Sequence, residues 1–476
     1  MKPLARTLMT LLVPLVLTAC GSKPEPKTPT LPVPEEFQES REWKPAAPAP
    51  LEVRTDWWQG LGDPELDRLE QSLEIGNSNI LVAASQYRAA RATLESAQQA
   101  LLPTANLSAS QTRSASGATS GGKKSTVTTT SYNLLGSVGW EVDLWGRLKH
   151  GVAGAEAKYQ ASGEDLTAAR LSAQTLLAQV YLQLRASDRH LALLKRQERN
   201  GRRFLDLTRD RHAGGVASAL DVAQAETQLQ TILTQSTEMA LQRAQLTHNL
   251  ATLTGRQAIT LAPLPENAPL PPIPPVPTLI PSWVLEHRPD IAGAERRVAA
   301  AKAQIGLAEA AFFPVLNLGG DGGYRGSALG QLIQLPNRIW SLGPSLALSV
   351  LDSGQRSNAF EQARAAHEQA VVQYRQTVLT AFGEVEDNLA ALRLLEEEAG
   401  AQAKALEAAR RAREIGEHQY RAGTTSSLTV VTALNSELAA ERSAIDIHNR
   451  RVLAALQLLK NCGGGLPDPA RSTRQN

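Results

Sequence analysis

Aromatic residues are scarce in this chain and make up only 4% of its 476 residues, whereas alanine and leucine are abundant. A large aromatic core is therefore excluded, and the composition favours long, closely packed helices. An excess of charge of either sign is also lacking, because 49 basic residues stand against 47 acidic ones and leave a formal net charge of +2. Neither a nucleic acid nor an anionic surface is implied as a partner.

Sulfur-containing residues are equally few, since the sequence has two cysteines and three methionines. If Cys20 is modified, Cys462 has no partner within the chain, and a disulfide framework is excluded. We expect Cys462 to be a free thiol, either packed or exposed. Met239 would be the only methionine left after processing, which argues against a methionine ladder for soft-metal export. The eight histidines show no ligand spacing, and we expect no metal site.

Long hydrophobic runs are absent after the leader, which has a basic start at Lys2 and Arg6 and an apolar stretch at 8–17. At about ten residues this stretch is too short to span a bilayer. It ends in Leu-Thr-Ala-Cys at Cys20, which is typical of a bacterial lipoprotein signal, although an ordinary secretory signal would also begin this way. Gly21 stands where lipoproteins of the inner membrane typically carry Asp. We expect 1–19 to be removed and Cys20 to carry a covalent lipid at the outer membrane.

Two proline-rich stretches, 24–50 and 263–281, are poor candidates for regular structure. The second separates two halves that carry the same motifs in the same order, which indicates an internal duplication. The matching pairs are Ala89–Pro103 with Ala300–Pro314, Asp143–Arg147 with Asp352–Arg356, and 212–222 with 421–430.

Each half predicts a helix, two strands, a long helix and a shorter helix. We place a lipid-anchored segment at 20–62, the first repeat at 63–260, a linker at 261–285, the second repeat at 286–460 and a tail at 461–476. The strands are expected at about 103–115, 125–145, 314–325 and 340–351.

Alternation of apolar and polar residues supports these strands. Val138 and Trp140, for example, share one face of their strand, while Ser137 and Glu141 share the other. The pattern fits a membrane barrel that is apolar toward lipid and polar toward a wet lumen, although a soluble hairpin packed on helices is an alternative. Four strands cannot close a barrel, so we expect a dimer, trimer or tetramer.

Proline is absent from 104–262 and from 345–466, which leaves room for very long helices. About 60 helix-competent residues precede a break near His212 and would span roughly 90 Å. Shorter helices are expected at about 77–101 and 219–253. These lengths predict a long helix flanked by two stacked shorter ones, and coiled-coil spacing supports their lateral pairing. The residues concerned are Leu177, Leu184 and Leu191 in the first half and Val378, Phe382, Val385, Leu389 and Leu392 in the second.

The order of these features resembles the TolC-like outer-membrane efflux proteins, most closely the lipoprotein branch that serves resistance–nodulation–division drug pumps. The resemblance covers essentially the whole mature chain. It rests on the Cys20 signal, Trp140–Arg147, Gly215–Val222, Arg288–Asp290 with the helix that follows to Pro314, and Gly463–Gly465.

This resemblance implies a mixed α+β membrane protein in which a homotrimer builds a twelve-stranded β-barrel from four strands per chain. A long α-helical coiled-coil barrel would continue it across the periplasm. The tunnel is expected to be closed at its periplasmic tip and to open when a periplasmic adaptor (membrane fusion) protein and an inner-membrane transporter of that class dock. The chain would then be a passive conduit in outer-membrane lipid, without a catalytic site and with no cofactor besides the lipid on Cys20.

The interhelical turns are the candidate functional residues. Gly214 and Gly423 are predicted to end the long helices in the left-handed conformation. Ser218 and Asp221 predict a capping box at the start of the next helix, which by itself would account for Asp221. The resemblance adds that acidic residues here ring a constriction, so that Asp221 would face the lumen, and that Tyr420 helps to hold it shut.

The second half departs from the family pattern at this place. Thr429 and Thr432 stand where relatives often carry aspartates, and Thr425 stands where some carry an arginine. We therefore expect hydrogen bonds and packing, and not a charged lock between the halves, to hold the constriction. Any cation-selective ring would be weaker.

Enzyme sites receive little support from the sequence. Gly117–Lys123 nearly matches a phosphate-binding loop, but Lys124 replaces the required Ser or Thr, and the segment lies between strands. The glycines at 319–326 do not match the dinucleotide fingerprint, and Glu396–Glu398 is predicted to be a solvated helix face. Two rival functions are a periplasmic coiled-coil scaffold lipoprotein without a pore and a duct for type I protein secretion.

Overall fold

The two repeats have helices of equal length: each contains one helix of 22 residues, one of 67 and one of 35. This correspondence is seen in a computed structural model, which describes residues 51–53, 56–120, 123–266, 269, 271–274 and 287–467. The predicted signal peptide, Cys20 and the stretch 24–50 lie outside the described residues, as do parts of 263–281. Within the described part of the chain, no helix has the length and apolarity needed to cross a bilayer.

The helices begin where the chain offers a cap or a proline. Asp63 caps the first helix with its side chain, Pro64 follows at the first helical position, and Asn77 caps the next helix. The helices are α1 (Pro64–Gly76), α2 (Ser78–Gln99), α3 (Arg147–Ala213), α4 (Ala219–Leu253), α5 (Pro289–Ala310), α6 (Gln355–Arg421) and α7 (Ser427–Asn461). Short 3-10 helices lie at Trp57–Leu61, Leu329–Gln331 and Leu335–Asn337.

The strands form two antiparallel sheets, a two-stranded one of β1 and β6 and a four-stranded one in the order β2-β3-β4-β5. Thr104 pairs with Gly139, Gly139 with Gly319 and Gly319 with Gly343, so one row crosses the whole larger sheet. The strands are β1 (Leu51–Val53), β2 (Thr104–Ser120), β3 (Lys123–Val142), β4 (Val315–Gly326), β5 (Arg338–Ala347) and β6 (Gly465–Pro467).

The strand bounds differ from those expected at three places, of which one is the end of β3 at Val142 in place of 145. β2 and β3 continue to Ser120 and Lys123, so most of the phosphate-loop-like segment is paired strand and not loop. The serine- and threonine-rich stretches there lack apolar alternation but pair well across strands. β5 ends at Ala347, before the expected 351, because its partner strand begins at Val315, directly after Pro314, which has no N–H to extend the ladder.

The largest apolar cluster lies where several helices meet at mid-length. It gathers the first 3-10 helix, α1, the start of α2, the middle of α3 and the ends of α4 and α7. Leu177, Tyr181 and Leu184 of α3 are fully buried there. A second cluster packs Val385, Leu389 and Leu392 of α6 against Ala455 and Leu458 of α7 and Cys462 at its C-cap, as the coiled-coil spacing predicts. Cys462 is a free, fully buried thiol, and burial raises its pKa.

Candidate functional site at the interhelical turns

The first turn joins α3 to α4 at 214–218. The left-handed residue in it is Gly215 (φ 73°), and Gly214 has an ordinary φ of −79°, so the prediction for Gly214 was wrong by one position. The N–H of Val216 donates to the carbonyl of Arg211 at 2.8 Å and closes the helix end. The hydrogen bond from Val216 to Arg211 requires a left-handed residue just before Val216, and Gly215, the second of the two glycines, occupies that position.

The capping box predicted at the start of α4 is present. The Asp221 N–H donates to the Ser218 hydroxyl at 3.2 Å, and the Ser218 N–H donates to the Asp221 carboxylate at 2.8 Å. Two backbone donors of the helix start are thereby satisfied by side chains. The hydroxyl of Ser218 also donates to this carboxylate, at 2.7 Å.

The second turn joins α6 to α7 at 422–426, and Gly423 (φ 77°) is left-handed as predicted. Ser426 occupies the N-cap position, but its side chain makes no bond to the helix backbone. Its hydroxyl lies 3.3 Å from the hydroxyl of Thr429, which matches Asp221 of the first repeat. The two turns therefore share a backbone shape but not a capping chemistry.

Asp221 links the two turns. Its second carboxylate oxygen accepts a hydrogen bond from the hydroxyl of Ser427, the first residue of α7. Ser427 is buried, and its hydroxyl also contacts the side chain of Gln224 at 3.3 Å. The hydrogen bond from Ser427, followed by those from Ser218, lowers the pKa of the Asp221 carboxyl. The carboxylate thus serves one helix start and one cross-repeat contact at the same time.

Arg211 makes the other contact between the turns. Its guanidinium donates to the carbonyl oxygen of Tyr420 at 2.7 Å, and its central carbon lies 4.6 Å from the centroid of the Tyr420 ring. That ring packs against Phe204, with the centroids 5.5 Å apart. Tyr420 is therefore held through its carbonyl and its ring, because its buried hydroxyl has no hydrogen-bond partner among the described residues.

Apolar packing lies directly beside these polar contacts. Phe204 and Leu205 of α3 meet Val430 and Leu434 of α7 in a cluster that also contains Ala225, Leu229 and Tyr420. The turns therefore combine a small apolar cluster with two polar contacts that cross between the repeats. Nothing in this arrangement provides a nucleophile with a base, and no cluster of acids, histidines and cysteines in the described part of the chain could hold a metal.

Polar pairs continue along α4 and α7, which run in the same direction from their turns. Gln228 donates to Asn435 at 2.6 Å, and Arg442 donates to Gln235 at 3.3 Å. Asp221, Gln228 and Gln235 follow one another at heptad spacing, so one side of α4 carries a polar ladder toward α7. Polar residues at such positions set the register of paired helices at a cost in stability.

A charged cluster crosses between the repeats farther from the turns. Glu441 of α7 accepts from Arg196 of α3 at 2.5 Å and from Arg410 of α6 at 2.9 Å. Its side chain is only 8% exposed, whereas both arginines are about half exposed. The cross-repeat contact farther from the turns is therefore an ion pair. At the turns, each contact joins one charged side chain to a neutral group of the other repeat.

The structure brings together only some of the predicted residues. Asp221 and Tyr420 each take part in a contact between the repeats. Thr432 instead donates to Leu428 of its own helix at 2.8 Å, Thr429 contacts Ser426, and Thr425 lies half-buried in the turn. Among the described residues, none of the three threonines has a side-chain hydrogen bond to the other repeat.

Sequence reasoning missed Arg211 and Ser427, which supply the other half of the two contacts. The internal duplication contained a signal: when the equal-length helices are aligned from their first residues, Arg211 matches Gln419 and Ala219 matches Ser427. A charge or hydroxyl present in only one copy of a repeat marks a place where the copies can contact each other asymmetrically.

The family model for "Outer membrane efflux protein" matches residues 69–256 and 280–464. Among curated relatives, outer membrane protein OprJ of Pseudomonas aeruginosa is 30% identical over 460 residues, with 96% of this chain and 95% of the relative covered. The pyoverdine export outer membrane protein OpmQ of the same organism is 29% identical over 459 residues, with 95% of each chain covered.

Solved structures give the same result. The outer-membrane channel OprN has a TM-score of 0.85 at 27% identity, with 94% of this chain and 99% of that chain covered. The open state of the MtrE outer membrane channel of Neisseria gonorrhoeae has a TM-score of 0.79 at 27% identity, with 94% and 99% covered.

These comparisons place the four-stranded sheet and the paired helices in a larger assembly. The strands β2–β5 are one third of a trimeric β-barrel, and the long helices continue it as an α-helical barrel. The matches decide against a scaffold without a pore and against an enzyme. The chain belongs to the outer membrane efflux protein family and is an outer-membrane channel of an efflux system.

Proposed function

We propose that the chain is the exit duct of a tripartite pump for drugs or other small molecules, gated where the two interhelical turns meet. Relatives support the substrate class: 28% identical proteins of Pseudomonas putida are a toluene efflux pump outer membrane protein and an antibiotic efflux pump outer membrane protein. The observation that carries the gate is the pair of contacts between the repeats, Arg211 with Tyr420 and Asp221 with Ser427.

The strength of these contacts suits a gate. A hydrogen bond to a charged group contributes about 1.5–3 kcal/mol, and an exposed cation–π contact contributes about 0.5–1 kcal/mol. Together with the small apolar cluster around Phe204, these contacts hold the closed form by several kcal/mol. A docking partner can supply that much energy, whereas thermal fluctuation alone opens such a gate rarely.

Exposed apolar residues at the turns support docking of a partner there. Val216 and Leu220 of the first repeat and Leu428 of the second are 69%, 66% and 56% exposed. Exposed apolar side chains at one end of the helices offer a contact surface, which neighbouring protomers of the trimer and a docking partner can share. The partners are a periplasmic adaptor protein, which binds the turns, and a transporter of the resistance–nodulation–division class in the inner membrane, which supplies the energy.

A lipid on Cys20 would anchor the duct in the outer membrane in addition to its barrel. The support is the leader pattern and Gly21. Mass spectrometry of the mature N-terminal peptide should find a diacylglyceryl-modified, acylated Cys20, and Cys20→Ala should lose both groups. An unmodified peptide that begins elsewhere would contradict the anchor without touching the channel.

The channel itself is tested with the full-length protein purified from outer membranes. We expect a trimer with small, mostly closed conductance in planar bilayers, and a larger open fraction after Asp221→Ala. A trimer whose conductance does not respond to Asp221 would leave the duct intact and return that residue to helix capping. A duct for type I protein secretion would instead restore protein export in a strain that lacks its own duct.

A further inference from the structure

Four acidic residues form one stripe along α1 and its N-cap, at Asp63, Asp67, Glu70 and Glu74. Their spacing of four, three and four places them on one face of the helix. That face lies against α3, because Asp63 accepts a hydrogen bond from the Tyr181 hydroxyl at 2.5 Å, and Glu74 accepts one from the Gln174 side chain at 3.0 Å. Both ends of the stripe are therefore matched by polar groups of α3.

Glu70 lies between the two matched ends and has no such partner. Between Gln174 and Tyr181, α3 carries Leu177 and Ala178, both fully buried. Glu70 itself is 0% exposed, and neither carboxyl oxygen has a hydrogen-bond partner among the described residues. A buried carboxylate without partners is costly, and such a group binds a proton instead of remaining charged.

The arginines nearest to Glu70 bind other groups and do not offset the free-energy cost of burying its carboxylate. Arg170 lies 3.5 Å from Glu74, Arg185 pairs with Asp188 and the carbonyl of Ala262, and Arg256 donates to Ser72. Burial, followed by the charges of Glu74 and Asp67, raises the pKa of Glu70 to about 9.

We propose that Glu70 is a neutral carboxylic acid in the folded channel and that its proton makes the packing of α1 on α3 pH-sensitive, so that α1 loosens as the medium becomes alkaline. The contact belongs to the largest apolar cluster, which also holds Trp57 and the ends of α4 and α7. The inference does not depend on the proposed gate.

The sign follows from proton linkage. When α1 separates from α3, Glu70 returns to its ordinary pKa of 4.5. Between pH 4.5 and about 9 the packed form binds one proton more than the separated form. Packing is therefore most stable below this window, and its equilibrium constant falls about tenfold per pH unit across it. Above the window the loss is complete and no further change is expected.

Hydrogen exchange of the full-length trimer tests this directly. We expect the protection of the α1 amides, corrected for the intrinsic pH dependence of exchange, to fall about fiftyfold between pH 7 and pH 9, where Glu70 is half ionised in the packed form. Glu70→Gln, which has the shape of the protonated acid, should make that protection independent of pH. Glu65→Gln, on the same helix but on a partly exposed carboxylate paired with Arg68, should keep the pH dependence of the parent.

A second measurement does not require the variant to fold as the parent does. The infrared spectrum of the parent at neutral pH should contain a protonated-carboxyl band that disappears on titration to alkaline pH. If that band is absent at neutral pH, or if the parent and Glu70→Gln lose protection in parallel, Glu70 is ionised and the proposal is overturned.

Discussion

The two interhelical turns have the same backbone and different chemistry. Gly215 and Gly423 take the same left-handed conformation, and the helices on either side have equal lengths. The first turn nevertheless contributes the charged groups, Arg211 and Asp221, and the second contributes a carbonyl, a ring and a hydroxyl. The contact between the repeats is thus one of unlike surfaces.

This difference shows what duplication permits. Two identical turns facing each other would place like charges together, which costs energy and gives no specific register. Here the first turn carries the charged groups, and the second turn carries a neutral acceptor and a neutral donor. Both contacts between the turns are therefore hydrogen bonds between a charged and a neutral group.

Arg211→Ala should have the largest effect, because it removes both the bond to the Tyr420 carbonyl and the contact with its ring. The combined loss of about 2–4 kcal/mol should raise the open fraction of single channels at least tenfold. Arg209→Ala is the matched control, since Arg209 is exposed on the same helix. Equal effects of the two variants would point to general charge loss and not to the contact.

Asp221→Ala should come next, since it removes the carboxylate half of the capping box and the bond to Ser427, while the Ser218 hydroxyl still caps α4. The combined loss is about 2–3 kcal/mol. Asp221→Asn keeps a side-chain oxygen for one of the two bonds and should give an intermediate open fraction in planar bilayers. If Asn behaves like Ala, the charge of Asp221 matters more than its hydrogen bonds.

Ser427→Ala removes the cross-repeat bond but leaves the cap of α4 intact. The expected loss is about 1.5 kcal/mol, the low end for a hydrogen bond to a charged group, seen as a roughly tenfold rise in open fraction at unchanged thermal stability of the trimer. Ser426→Ala, one residue earlier and without a bond to the helix backbone, should leave conductance as it is. A larger effect at Ser426 would mean that the second turn is held by a different residue.

Thr429→Asp makes the two turns alike by completing a capping box with Ser426. A box of this kind contributes about 0.5–1 kcal/mol to helix stability, so thermal denaturation should move up by a degree or two while the open fraction stays within twofold. A marked opening would show that a second acid repels Asp221, and that the neutrality of the second turn is itself required for closure.

The sequence was sufficient for features that depend on local signals. Three features each have a physical cause within a few residues: the capping box at Ser218, the proline-free stretches and the heptad spacing of apolar residues in α6. The helix α4 also occupies 219–253 as expected. The helix α1 was missed although Asp63 and Pro64 form a typical helix start. The end of β5 was missed because it depends on the partner strand.

Contacts between the repeats could not be predicted in this way. Whether Ser427 meets Asp221 or solvent depends on how two helices separated by most of a repeat are packed side by side. The same holds for Glu70, since a glutamate in a helix is ordinarily solvated and only the position of α3 buries it. The assignment of Gly214 failed for a smaller reason, because tandem glycines leave the left-handed position open by one residue.

The lengths of α3 and α6 have a mechanical consequence. From Tyr181 in the largest apolar cluster to Ala213 at the helix end, α3 extends for roughly 50 Å without a proline. If α3 rotates about its packing site in this cluster, the displacement grows with distance from the cluster and is largest at the turn. A tilt of about 4° at the packing site would displace the turn by roughly 3.5 Å, which exceeds the 2.7 Å between Arg211 and Tyr420. Small rotations far from the turns are therefore sufficient to separate them.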